Sequence, residues 1–190
     1  MNDHSLPDLY GKYAGAIQRY LGNFVGDATA EELTQEVFLK AQRGLATFQE
    51  RSSIKTWLYR IATNVLKDHL KSKHHRYDQQ SITLSELESN GASLKENPLD
   101  QTSIRDEMRT CIVEFIHRLP ESYSTVLVLS ELEGYKIKEI AEILDDSPDT
   151  VKVRLHRARM RLRKALEQGC TFSYDEENEL SCEKRGPITL

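Results

Sequence analysis

The chain has 190 residues, 38% of them hydrophobic and 29% charged, with a formal net charge of −4. That length fits one or two small domains, and no apolar run approaches the ~20 residues of a membrane-spanning helix. Three widely spaced cysteines, Cys111, Cys170 and Cys182, argue against a disulfide scaffold, and the start Met1-Asn2-Asp3-His4 lacks the basic-then-apolar order of a secretion signal, so a cytoplasmic place is expected.

Taken in order, residues 6–25 carry Leu6, Leu9, Tyr10, Tyr13, Ile17, Leu21 and Phe24 at helical spacing. Asp27 to Thr29 reads as a turn, and Thr29-Ala30-Glu31-Glu32 has the form of a capping box opening a second helix. In that helix Leu33, Val37, Phe38, Ala41 and Leu45 face a core, while Glu32, Gln35, Glu36 and Lys40 face outward. Residues 46–53 break the pattern as a loop, with Ser52 or Ser53 capping the next helix. That helix, residues 54–71, buries Ile54, Trp57, Leu58, Ile61, Ala62 and Val65; Thr56, Arg60, Thr63, Asn64, Lys67 and Lys71 fall on the opposite, cationic side. Arg60 and Asn64 stand one turn apart, close enough to act together on a phosphate or base edge; a merely solvated face reads the same pattern without a partner.

Residues 77–103 lose periodicity and read as an acidic linker of 27 residues. Helix resumes over 104–119 with Ile104, Met108, Cys111, Phe115 and Leu119, Cys111 being an inert member of the apolar stripe. Pro120 opens a helix holding Val126, Leu127, Leu129 and Leu132, and Gly134 ends it. Residues 135–144 make a short helix packing through Ile137, Ile140, Ala141 and Leu144; Asp145-Asp146-Ser147 is a tight turn. Ser147 and Pro148 then start an amphipathic helix with Val151, Leu155, Ala158, Leu162 and Ala165 as its seam.

Charge is placed unevenly along these elements. Residues 48–76 hold seven basic and two acidic side chains, residues 151–166 seven basic and none acidic, and residues 77–107 two basic and seven acidic. Two basic patches in an acidic chain suit local contacts with nucleic acid and disfavour indiscriminate adhesion. A short helix, a turn and a basic second helix make a helix-turn-helix, which sets the N-terminal part of its second helix in the DNA major groove. The side chains best placed there are Asp149, Thr150, Lys152, Val153, His156 and Arg157, with later arginines on phosphates. The fold class is therefore all-α: two small helical domains (6–76 and 104–168) joined by a flexible acidic linker, the second a four-helix domain with the helix-turn-helix. Residues 169–190 form a cysteine-bearing acidic tail, read as mobile, with Asp175–Asn178 a turn between irregular pieces; Cys170 and Cys182 lack the close spacing of a metal-binding pair, and no cofactor or metal is expected.

The stretches Glu31-Glu32-Leu33-Thr34-Gln35-Glu36-Val37-Phe38-Leu39-Lys40-Ala41 and Lys55-Thr56-Trp57-Leu58-Tyr59-Arg60-Ile61-Ala62-Thr63-Asn64 resemble region 2 of extracytoplasmic-function sigma factors. Residues 134–144 and 150–159 resemble their region 4. The resemblance implies a non-enzymatic transcription initiation factor. Glu32, Gln35 and Glu36 would dock on the β′ clamp helices of core RNA polymerase, with the β flap a second contact. The loop holding Phe48, Ser52 and Ser53 would take a flipped base of the promoter −10 element beside Arg60, Asn64 and Lys67, while Thr150, Lys152, Val153, His156 and Arg157 would read the −35 element. The acidic linker would occupy an RNA channel, and an anti-sigma protein is a further candidate partner. This chain departs from the family in Glu32, where aspartate is frequent, and in Asp145-Asp146, where glycine is common; Asp tolerates the left-handed conformation. A stand-alone helix-turn-helix regulator leaves residues 6–76 without a task, and a nuclease needs a pocket of carboxylates or histidines that His74-His75 hardly supplies.

Overall fold

The structure is a computed structural model and describes residues 5–79, 111–174 and 180–184, with side chains placed for 5–72 and 111–173. Most of the expected linker, with Ile104, Met108 and the Asp175–Asn178 turn, lies outside the described residues. The chain divides into two units, residues 1–92 with 138–147, and residues 93–137 with 148–190.

In the first unit α1 (Leu6–Gly22), α2 (Asp27–Leu45) and α3 (Ile54–Gln79) pack pairwise. Their core is Leu9, Ile17, Tyr20, Leu21, Leu33, Val37, Phe38, Ala41, Leu58, Tyr59, Ala62, Val65 and Leu66. The capping box fails as a start signal: α2 begins at Asp27 from Gly26, with no side-chain cap, so Thr29 lies inside the first turn. Asp27 in that turn places a carboxylate near the positive end of the helix dipole, which offsets the missing cap. Tyr10 stays half exposed, its ring meeting Phe38 edge-on at 4.9 Å.

The inner face of α3 is rotated from its sequence expectation. Thr56 and Thr63 are buried, and Trp57 sits at the rim, its ring 5.1 Å from that of Phe48. A Cβ on Gly44 would stand 3.0 Å from the Trp57 ring, so the glycine in α2 makes room for the indole. Thr63 turns inward because its hydroxyl donates to the Tyr59 carbonyl at 2.8 Å and meets the Tyr20 hydroxyl at 2.8 Å. With both bonds satisfied, a polar side chain is tolerated in a core. Thr63→Val is therefore expected to cost the first unit about 1–3 kcal/mol, and Tyr20→Phe less, because it removes one of the two bonds. Urea titration of both variants checks the order. α3 also continues to Gln79, through the first three residues of the expected linker, there being no glycine or proline from 54 to 79 to stop it.

In the second unit residues 111–117 are helical (α4), followed by α5 (Glu121–Leu127) with Pro120 as its N-cap. A π-helical turn, Val128–Leu132, extends α5; no sequence signal announced it. Gly134, at φ 72°, ends the run as expected. The next helix, α6 (Ile137–Leu144), belongs from Lys138 onward, with the turn Asp145–Ser147, to the first unit and buries Ile140, Ala141, Ile143 and Leu144. Asp145 takes φ 58° and the Asp146 N–H donates to the Ala141 carbonyl at 3.0 Å, so an aspartate does fill the left-handed position at the end of α6. α7 (Pro148–Gly169) begins at the proline and buries Val151, Leu155, Ala158 and Ala165. It packs on α5, and Arg159 ties back to Glu131 at 2.7 Å while Arg161 lies 4.8 Å from the centre of the Tyr123 ring.

The helical architecture holds to Gly169; the tail does not follow its irregular expectation. β1 (Cys170–Tyr174) pairs antiparallel with β2 (Leu180–Lys184), Cys170 opposite Lys184 and Phe172 opposite Cys182. β1 reaches α7, and Cys170 is buried with Cys111, Phe115 and Ala165. The apolar anchor at Cys170 and the β-favouring Thr171, Phe172 and Tyr174 explain the ribbon.

Candidate nucleic-acid interface

Three helix faces and the loop before α3 carry the residues that the sequence singled out. On α2, Glu32, Gln35 and Glu36 are all exposed, since Leu33, Thr34, Val37 and Phe38 commit the other side to the core. Leu39 joins them at 57% exposure, one turn beyond Gln35. Sequence reasoning passed over it; a leucine on the polar arc of an amphipathic helix was the available signal. Lys40 pairs with Glu36 at 2.9 Å and lies 3.8 Å from Asp68 of α3, leaving Glu32 and Gln35 outside this small network.

On α3, Arg60 and Asn64 are exposed and Lys67 is half buried. Arg60 Nη2 lies 3.0 Å from the Asp145 carboxylate; an exposed pair of this kind exchanges readily for a phosphate. The loop before α3 is shaped by four local features. Thr47 Oγ1 donates to the Gly44 carbonyl at 3.0 Å, and Glu50 adopts φ 53°. Ser53, rather than Ser52, caps α3, accepting from the Thr56 N–H at 3.0 Å. Phe48 is half buried against Trp57, so its ring forms a fixed apolar wall to the loop. Ser52 is half buried and Ser53 exposed. A left-handed glutamate is strained by about 1–2 kcal/mol, and Glu50→Gly is expected to recover about half of that as a higher melting temperature. Glu50→Val should lower it.

On α7, Thr150, Lys152, Val153, His156 and Arg157 are all exposed. Val153 is 49% exposed although it is apolar, and Met160, two turns on, is 56% exposed. An outward face that mixes two cations, a hydroxyl, an imidazole and a bare methyl pair offers donors for base edges and phosphates and an apolar contact for a thymine methyl. Among the described residues no group of three or more His, Cys, Asp or Glu is placed to hold a metal ion, and no helix is long and apolar enough to cross a membrane.

These surfaces coincide with the segments shared with known proteins. Residues 9–76 match the family model for sigma-70 region 2, and residues 109–162 that for sigma-70 region 4. The chain is 37% identical over 161 residues to the RNA polymerase sigma-H factor of Pseudomonas aeruginosa, covering 82% of this chain and 83% of that protein. It is 34% identical over 155 residues to the ECF RNA polymerase sigma-E factor of Escherichia coli K12, covering 80% and 81%. Its fold is similar to that of the sigma factor RpoE solved in complex with the anti-sigma factor NepR from Bartonella quintana, with a TM-score of 0.68 at 18% identity over 85% of this chain and 96% of that one. The same holds for CnrH solved with the cytosolic domain of CnrY, with a TM-score of 0.62 at 19% identity over 88% and 90%.

Proposed function

The chain belongs to the extracytoplasmic-function sigma factors of the sigma-70 family, and from that premise we propose how its surfaces divide the work of an alternative RNA polymerase sigma factor. The α2 face of Glu32, Gln35, Glu36 and Leu39 docks on core polymerase, at the β′ clamp helices. The second unit, resting on the β flap, presents α7 to duplex DNA, where Lys152, Arg157 and Thr150 meet phosphates or base edges, and Val153 and His156 complete the reading face. The loop of Phe48, Ser52 and Ser53 accepts a base extruded from the −10 strand, and Arg60, Asn64 and Lys67 hold the strand beside it. Extruding a base costs a few kcal/mol, which a cationic groove and an aromatic wall offset by capturing single strand.

The observation that carries this reading is the α7 face: five side chains chosen by motif are all exposed, while Val151, Leu155 and Ala158 beside them are buried. A helix held by one side and cationic on the other is what major-groove reading requires. The role asks for no catalytic step by this chain and fits action in the cytoplasm, where polymerase and template are found. That the similar fold of RpoE was solved with the anti-sigma factor NepR supports seeking such a regulator here. Run-off transcription by core polymerase on a genomic promoter library, with and without the purified chain, tests the proposal. Specific start sites that appear only with the chain support it, and their absence at every promoter overturns it. A regulator that never joins polymerase would bind duplex DNA yet yield no new starts.

A further inference from the structure

Two cysteines separated by 58 residues meet in the core of the second unit. Cys111 of α4 and Cys170, the first residue of β1, have their Sγ atoms 3.9 Å apart. Both are reduced thiols and both are buried, Cys111 at 7% exposure and Cys170 at 1%. Phe115 and Ala165 complete the cluster, with Leu162 and Leu166 packed against it. The pair joins a helix that follows the linker to the residue directly after α7. It lies with Ala165 on the inner side of that helix, away from Lys152, Val153 and Arg157.

We propose that Cys111 and Cys170 are a dithiol modification site that a hydroperoxide oxidises to an intramolecular disulfide, stapling the foot of α7 to α4. A disulfide requires an S–S separation of about 2.05 Å with Cα atoms within about 7 Å. Sulfurs at 3.9 Å stand about 2 Å from bonding distance, a gap of the size that rotation of the two side chains closes. The chemistry balances with hydrogen peroxide as oxidant. The more exposed Cys111 thiol ionises, its thiolate attacks one peroxide oxygen, the O–O bond breaks, and the departing hydroxide is neutralised to water by the proton released in that ionisation. The Cys170 sulfur then attacks the resulting sulfenic sulfur, the S–O bond breaks, and the second water departs with the Cys170 proton. Two thiols and one peroxide give one disulfide and two waters. Burial makes the reaction slower than that of an exposed thiol, because it waits on local opening of the ribbon or of α4.

The staple closes a loop that contains the whole helix-turn-helix, so it restricts the unfolded chain and holds the native second unit. The proposal does not depend on the assignment of α7 to the −35 element. Its test uses the full-length chain, treated with stoichiometric hydrogen peroxide and then alkylated without reduction. The expected product is a monomer lighter by two hydrogens, with one alkylated cysteine, Cys182. Peptide mapping should give a Cys111–Cys170 cross-link, and the melting temperature should rise by several degrees and fall back on reduction. Cys182→Ala should leave the cross-link intact and Cys170→Ala should abolish it. Should the latter misfold, mapping of the unsubstituted chain decides alone. A cross-link to Cys182, a disulfide-linked dimer, three alkylated thiols, or a tightly held metal ion that shields the thiols each overturns the proposal.

Discussion

A chain carrying Gln35→Ala together with Glu36→Ala is expected to lose capture by core polymerase while keeping its fold and its affinity for duplex −35 DNA. Both side chains are exposed on α2, so neither supports the core that Leu33, Val37 and Phe38 build on the other side. Alanine is the best helix former, and the loss of the Glu36–Lys40 pair costs α2 only about 0.2–0.5 kcal/mol. At a desolvated interface the same truncations are far more costly, because the partner's donors are left without acceptors. Two such residues are worth about 2–4 kcal/mol together, or roughly 30- to 1000-fold in the dissociation constant. Leu39→Ala should weaken capture as well, by apolar area alone, without changing its salt dependence. A pull-down with core enzyme across a salt series measures both variants. Undiminished capture by the double variant would remove α2 from the docking surface and return Glu32, Gln35 and Glu36 to an ordinary solvated face.

How much of this was legible in the residues depended on which force set each feature. Helix positions follow from apolar spacing, so α1, α2, α6 and α7 lie close to where periodicity puts them. The left-handed Asp145 was legible too, because a turn between two helices leaves few other conformations. Failures came where tertiary packing chose between near-equal local options. Thr63 sits at the border of the polar arc of α3, and only the Tyr20 hydroxyl, 43 residues away, decides that it turns inward. Trp57 goes to the rim because Gly44 and Phe48 offer it a seat there. The ribbon after Gly169 and the Cys111–Cys170 encounter both rest on long-range contacts that no spacing rule encodes. Of the candidate site, the exposed faces were readable because exposure is the complement of a periodic core; the Arg60–Asp145 pairing was not, since it joins two segments distant in sequence.

Separate variants on α7 and α3 are expected to fail at different stages of promoter use. Lys152→Ala and Arg157→Ala each remove a cation from the outward face of α7 without touching its buried seam, so folding is preserved. If Arg157 reads a base edge, its loss costs about 1–3 kcal/mol at the −35 duplex and relaxes preference at one position. If Lys152 contacts phosphate, its loss weakens all sequences alike and lowers the slope of log affinity against log salt by about 0.9. Asn64→Ala acts elsewhere: it removes an exposed amide one turn from Arg60 on α3 and should leave −35 binding within twofold. Its deficit should appear in strand opening, read as lower permanganate reactivity of unpaired thymines, and a premelted −10 template should rescue it. The energetic reason is that duplex docking and base extrusion draw on different surfaces, so a side chain that captures single strand contributes nothing until the duplex has opened. Equal losses in both assays for all three variants would mean that α3 and α7 act as one undivided DNA surface, and the assignment of opening to α3 would fall.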